Sequence, residues 1–340
     1  RATRTWAPTR TPYRAPTLLL FGCSKDIKES DYLFSGDTGA KVTFSAVIDN
    51  QENTNLRATA TSWEVGDIIG ITCNGKQINV PYEFTGGEGN YFKSVDRTQE
   101  IWLMGTEQYD ISAYYPHMGD SGTIPEKVAI ATTSENQVTE EKRSEIDFLF
   151  ASAVADRENP NVQLAFQHVM SRIVLTFKEG EEIESLDNID CYITGAKLHG
   201  VFDPATGAVS VNEDAAVESI NQILTKENGH TMVAIVLPQD LTNSGLLIEA
   251  GMNGVYYRVD IPYADLAQLK AGYSYNYTIV ADKYNDNPIK LTITETEITP
   301  WNNQDGGSFN PDPSMAGTEG DITTGGWGDI EKEDITPVEK

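Results

Sequence analysis

Cysteine and histidine are too few and too scattered to build a disulfide framework or a metal centre. The three cysteines, Cys23, Cys73 and Cys191, are odd in number and form no C-x-x-C pair, which leaves zinc binding and thiol redox work without a ligand set. The four histidines, His117, His168, His199 and His230, never pair as H-x-x-x-H. H-E-x-x-H, G-x-S-x-G and G-x-x-x-x-G-K-[ST] are all missing, and with them the metalloprotease helix, the hydrolase elbow and the phosphate loop. "SGDTGAKV" imitates the last only loosely, with Val42 where a Mg-binding hydroxyl belongs. The expectation is a protein that is not an enzyme and uses no cofactor and no metal.

Basic residues are also scarce. Lys and Arg number 25 against 51 acids, for a net charge of −26. A surface of that sign repels phosphate backbones, so no nucleic-acid partner is expected. Four arginines, Arg1, Arg4, Arg10 and Arg14, fall in the first fourteen residues, which hold no acid. No stretch approaches the roughly 18 apolar residues that a membrane-spanning helix needs. A short apolar run, in "APTLLLFGCSKDIKE", instead leads through Gly22 to Cys23. A basic leader, an apolar run and a cysteine follow the order of a bacterial lipoprotein signal, although Phe21 stands where a small residue is usual. Cys23 is accordingly the candidate lipidation site, with an accidental apolar turn as the alternative. A lipid there would be the only membrane anchor, each buried methylene contributing roughly 0.8 kcal/mol.

What is present is alternation. "KVTFSAVID" (41–49) sets Val42, Phe44, Ala46 and Ile48 on one face, the mark of a half-buried strand. A polar loop, "DNQENTN", leads to "RATATSW" and "DIIGITC", two further strand-like runs split by a Val-Gly-Asp turn. "EIWLMG", "YDISAYYP" and "KVAIATT" follow, and "EEKRSEIDFLFASAV" reads as helix or as buried strand. At "NPN" (159–161) the polarity changes. A second β set then begins with "VQLAFQHVMSRIVLTF", one bent strand or two joined ones, and ends with "IKLTITETEIT". Asn253-Gly254 is a hairpin turn signal, and "YADLAQLKAG" predicts a short helix after Pro262. From Asn302 the Gly-, Pro- and Asp-rich composition cannot bury enough apolar area to offset ordering entropy, so a mobile tail is expected. The organisation expected is therefore a leader and linker (1–40), two β-sandwiches (41–160 and 161–301) and the tail (302–340).

Six phrases, "WEVGDIIGI", "SAYYPH", "SEIDFLFA", "LAFQHVMSRIVLTF", "LKAGYSYNYTI" and "ITPW", occur in an order that resembles the fimbrillin-like family of Bacteroidales, the type V pilins. The likeness spans roughly residues 41–301. It implies an all-β chain of two tandem transthyretin-like sandwiches, exported as an outer-membrane lipoprotein and assembled with other fimbrial subunits. It also implies an Arg-specific protease that removes the first strand, whose groove a strand from another subunit then fills. Arg57-Ala58 occupies the place of such a cut, and Val42, Phe44, Ala46 and Ile48 would be the removable strand. Ile289, Leu291, Ile293 and Ile298 form a candidate donor strand, or simply the last strand of the second domain. The rival reading is a surface lipoprotein that never polymerises and binds a host protein or glycan through exposed aromatics, with Tyr91, Trp102, Tyr114 and Tyr115 as candidates.

Overall fold

The computed structural model describes residues 39–48, 63–181, 183, 185–241, 245–284 and 287–301. Cys23, Arg57, Ala58, the strand read into 57–62 and the tail lie outside them. In chain order the first half holds β1 (Ala40–Lys41), β2 (Thr43–Ile48), β3 (Ile68–Cys73), β4 (Gln77–Phe84), β5 (Tyr91–Ser94), β6 (Trp102–Leu103), β7 (Tyr109–Tyr115), β8 (Val128–Ala131), helix α1 (Glu140–Ile146), β9 (Leu149–Ala155) and β10 (Asn161–His168). Seven of these strands are hydrogen-bonded in a closed ring, in the order β10, β2, β5, β4, β3, β7, β9. Their alternating apolar residues all point into one core, with Phe44, Ile69, Ile71, Ile111, Leu164 and Phe166 essentially without solvent exposure. The expected N-terminal sandwich is thus closed, its walls joined by hydrogen bonds at both edges.

The stretch 140–154 is both helix and strand. The Thr139 hydroxyl accepts from the Lys142 amide at 3.2 Å and caps α1, Asp147 ends the helix, and Leu149 opens β9. The boundary expected between 160 and 161 does not coincide with the change of core. Asn161–His168 runs parallel to β2 and antiparallel to β9, and its Val162, Leu164 and Phe166 fill the barrel. Polarity changes at "NPN" because the chain turns there, not because a new core begins.

The second half holds β11 (Ser171–Glu179), β12 (Ile189–Lys197), β13 (His199–Phe202), β14 (Val209–Val211), β15 (Val217–Leu224), β16 (Thr231–Val236), β17 (Gln239–Asp240), β18 (Leu246–Met252), β19 (Val255–Ile261), β20 (Gln268–Leu269), β21 (Tyr273–Tyr284) and β22 (Asn287–Pro300). Two four-stranded sheets, β16-β11-β21-β22 and β15-β12-β18-β19, share one apolar core. The β18–β19 hairpin turns at Asn253 and Gly254, whose φ of 53° and 78° are those of a two-residue turn matched to sheet twist. The helix expected after Pro262 does not form. Asp265 and Leu266 amides close a turn on the Pro262 carbonyl, then β20 pairs with β17, because Leu266 and Leu269 must both reach the core.

A third apolar cluster takes members from both halves: Tyr114 and Phe148 from the first, Met170, Phe202, Ile235 and Trp301 from the second. Beside it β8 pairs with β13, and β13 with β14, so one small sheet is built from both halves. Cys73 and Cys191 are free and buried, and burial pushes their thiols up to about 11 and about 12. They behave as small apolar residues.

Candidate functional site

The first strand and its slot form the candidate site. Val42, Phe44, Ala46 and Ile48 are at most 5% exposed. Phe44 meets Tyr82 edge-on at 5.0 Å between centroids. At the other end Trp63, where the described chain resumes, donates its indole N–H to the Ala46 carbonyl at 2.9 Å. The same indole packs edge-on against Phe92, Tyr115 and Phe166 at 5.1 to 5.4 Å. Burying Val42, Phe44 and Ile48 contributes on the order of 5 kcal/mol or more.

The backbone of β2 is held on both sides. On one side six residues, Thr43 to Ile48, register in parallel with Asn161 to Phe166, and the Thr43 hydroxyl reaches Asn161 Oδ1 at 2.7 Å. On the other side contact is brief: Phe44 and Ser45 pair with Phe92 and Tyr91, and the Ala46 amide donates to the Asn90 carbonyl at 3.0 Å. Loss of β2 would therefore open a slot with two unpaired edges, β10 and β5, over an apolar floor.

The residues of the candidate donor strand lie on β22, an edge strand paired with β21 along its length. Leu291 is buried, Ile289 and Ile293 pack partly against the core, and Ile298 is 43% exposed. Among the described residues β22 is thus the edge strand that ends the C-terminal sheet, with Glu295 accepting from the Thr278 hydroxyl at 2.8 Å.

His168 sits in a buried junction where the two cores meet. Its Nδ1 is 2.9 Å from Asp147 Oδ1, and its ring lies parallel to the Trp301 indole, with centroids 3.9 Å apart. Arg172 lies 4.8 Å over the same indole, its guanidinium pushed down by burial against the opposing pull of Asp147. The Trp301 amide donates to the Gly272 carbonyl, and the Gly272 amide to the Met170 carbonyl. His168 and its partners Asp147 and Trp301 each lie in one of the six phrases, "LAFQHVMSRIVLTF", "SEIDFLFA" and "ITPW", but nothing in the sequence shows that the three meet.

The aromatic candidates for ligand stacking divide. Tyr114 is core, its hydroxyl 2.7 Å from Asn79 Oδ1. Tyr115 packs on Trp63 and donates to Asp67 at 2.9 Å. Tyr91 and Trp102 are about half exposed, on different strands. Among the described residues no three His, Cys, Asp or Glu gather as a metal site, and no helix is long and apolar enough to cross a membrane.

The fold is shared with solved structures of two Bacteroides proteins. A crystal structure of a "putative cell adhesion protein" from Bacteroides ovatus ATCC 8483 is 27% identical, with a TM-score of 0.65 over 76% of this chain and 97% of that one. A second protein so titled, from Bacteroides uniformis ATCC 8492, shares the fold at 20% identity, with a TM-score of 0.59 over 77% of this chain and 99% of the other. No curated protein matches. The fimbrillin-like family model matches residues 57–301, and the chain belongs to that family.

Proposed function

We propose that this chain is a cell-surface fimbrial subunit or fimbria-associated adhesin that joins its neighbours by strand exchange. Family membership supports the fimbrial and adhesive role. The observation that carries the exchange step is the seating of β2. It is the first described strand of the barrel, its four inward side chains fill an apolar slot, and its pairing on the β5 side covers only two residues. Main-chain hydrogen bonds along β10 and pockets for alternate side chains are what a captured strand needs. In this reading an Arg-specific protease cuts at Arg57-Ala58 and β2 leaves. The chain reaches the outer membrane as a lipoprotein through Cys23, and the tandem transthyretin-like arrangement describes its two cores.

β22 remains the donor candidate. As an edge strand it can leave without splitting its sheet, and Leu291, Ile289 and Ile293 are the anchors it would bring to another subunit's slot. Glu295 and Glu297 continue the same alternate positions, so the apolar pattern of the donor weakens beyond Ile293.

Limited trypsin treatment followed by mass measurement and size-exclusion chromatography tests the reading. The expected outcome is cleavage after Arg57, loss of the 41–49 strand and larger species; Arg57→Ala should block both cleavage and assembly. A chain cut at Arg57 that keeps its first strand and stays monomeric overturns strand exchange while leaving the family assignment intact.

A further inference from the structure

The outer face of the β15-β12-β18-β19 sheet carries an open concavity of about 590 Å³ that neither the fold nor the assembly reading uses. Strand register builds it. Asp190 lies across from Ile223 on β15 and from Gly251 on β18, and Gly251 in turn from Tyr256 on β19. One step along, Tyr192 faces Asn221. Residues two apart on a strand share a face, so all of these side chains rise on the same side of the sheet.

One carboxylate fixes the arrangement. Asp190 Oδ2 accepts from the Tyr192 hydroxyl at 3.0 Å and the Tyr256 hydroxyl at 2.9 Å, and its Oδ1 accepts from the Asn221 amide at 2.6 Å. The hydrogen bond to Asp190 pushes the Tyr192 phenol up to about 12, so both rings stay neutral at any physiological pH. The rings are 6.1 Å apart and tilted by 54°. Gly251 makes room for this: a Cβ there would stand 2.9 Å from Tyr256 Cε1, so the ring lies over bare backbone. Ile223, 65% exposed, borders the same hollow. Asn188 and Asn253 line the rim.

The lining selects a ligand class. It contains no Lys or Arg, and the chain carries −26, so sulfated, sialylated or phosphorylated ligands meet no counter-charge. Asp190 is the only acid in the lining and already accepts three hydrogen bonds, which does not make a cation cage. Apart from Ile223 the walls are amides, phenols and glycine backbone, too polar for an apolar ligand. Rigid aromatic rings held before binding, beside amides that both donate and accept, suit a neutral sugar. We propose that this concavity binds neutral oligosaccharide, with the Tyr192 and Tyr256 rings as the stacking surface and Asn188, Asn221 and Asn253 reading hydroxyls. Asp190 acts as a positioning residue that holds both rings. The site is independent of strand exchange, because none of its residues belongs to β2, β10 or β22.

A glycan array probed with the full-length chain, covering neutral, sialylated and sulfated oligosaccharides, tests the proposal. Binding is expected to neutral members only. Tyr256→Ala and Ile223→Glu should each weaken the best neutral binder at least tenfold, and the second sits at an exposed position where folding is not at stake. Tyr256→Phe keeps the ring but removes one of the three hydrogen bonds to Asp190, and should weaken binding less than Tyr256→Ala. Trp102→Ala should leave it unchanged. Circular dichroism melts of each variant separate lost binding from lost fold. Absence of any neutral binder, binding confined to anionic glycans, or signal lost with Trp102→Ala but kept with Ile223→Glu overturns the assignment. Assembly after trypsin is read separately and is unaffected by these substitutions.

Discussion

Asn79 concentrates more structure than any other single polar residue of the barrel. It is fully buried in β4 with φ of 51°, a left-handed conformation that asparagine tolerates and β-branched residues do not. Its amide donates to the carbonyls of Met118, Asp120 and Thr123 at 2.9 to 3.2 Å, while its oxygen accepts from the Tyr114 hydroxyl. The loop after β7 is therefore pinned to the barrel wall by this side chain, together with the Tyr114 hydroxyl on Met118 and the backbone bonds from His117 to Ile68 and from Gly122 to Ile78. Asn79→Ala should cost about 2 to 3 kcal/mol, from part-buried carbonyls that lose their donor and from backbone strain. Asn79→Gly relieves the strain and should cost visibly less. Urea unfolding of the two variants checks this; equal losses would mean that the hydrogen bonds carry everything. Nothing in "KQINVPY" announces the role, because the three carbonyls it serves lie about forty residues on. The same holds for Asp190 and Tyr256, which look like ordinary surface residues until register puts them in one row.

Among the elements, β2 was readable and β4 was not. "KVTFSAVID" alternates cleanly because one face of β2 meets the core and the other faces water. In β4, Pro81 interrupts the pattern although its carbonyl still accepts from the Val95 amide, and β15 is hidden because its outward Ile223 breaks the alternation. The expected helix near residue 265 failed for a related reason: spacing alone cannot tell a helix face from two leucines dropped into a core by a turn. The β2 slot makes a prediction of its own. After trypsin trimming, the chain should capture a biotinylated peptide of sequence KVTFSAVID, measured by biolayer interferometry, whereas the intact chain should not. Replacing the peptide residue equivalent to Phe44 by Asp should abolish capture, since an unpaired carboxylate would have to enter an apolar pocket. Equal capture by trimmed and intact chains would show that the peptide binds elsewhere.

At the scale of the whole molecule, two apolar cores are joined by a third cluster and by the stack of His168 on Trp301, with Arg172 over the same indole. Packing of that kind makes neighbouring units unfold together. Trp301→Ala removes both ring contacts and leaves a cavity, for an expected loss of about 3 to 5 kcal/mol. Differential scanning calorimetry should then resolve two transitions where the parent chain shows one. A single transition merely shifted downward would mean that the β8–β13 pairing alone couples the halves.

The sequence by itself determined the all-β class, the buried face of the first strand, the hairpin at Asn253-Gly254 and, through the order of its phrases, the family. These are local properties, written in alternation and turn residues. Only the tertiary structure decided that Thr43 lies beside Asn161, that Asn161–His168 closes the first core instead of opening the second, and that Asp190, Gly251 and Tyr256 form one row. Alternation says which face of a strand is buried but not which strand lies next to it, and pairing across a hundred residues is settled by how the remaining strands close around a shared core.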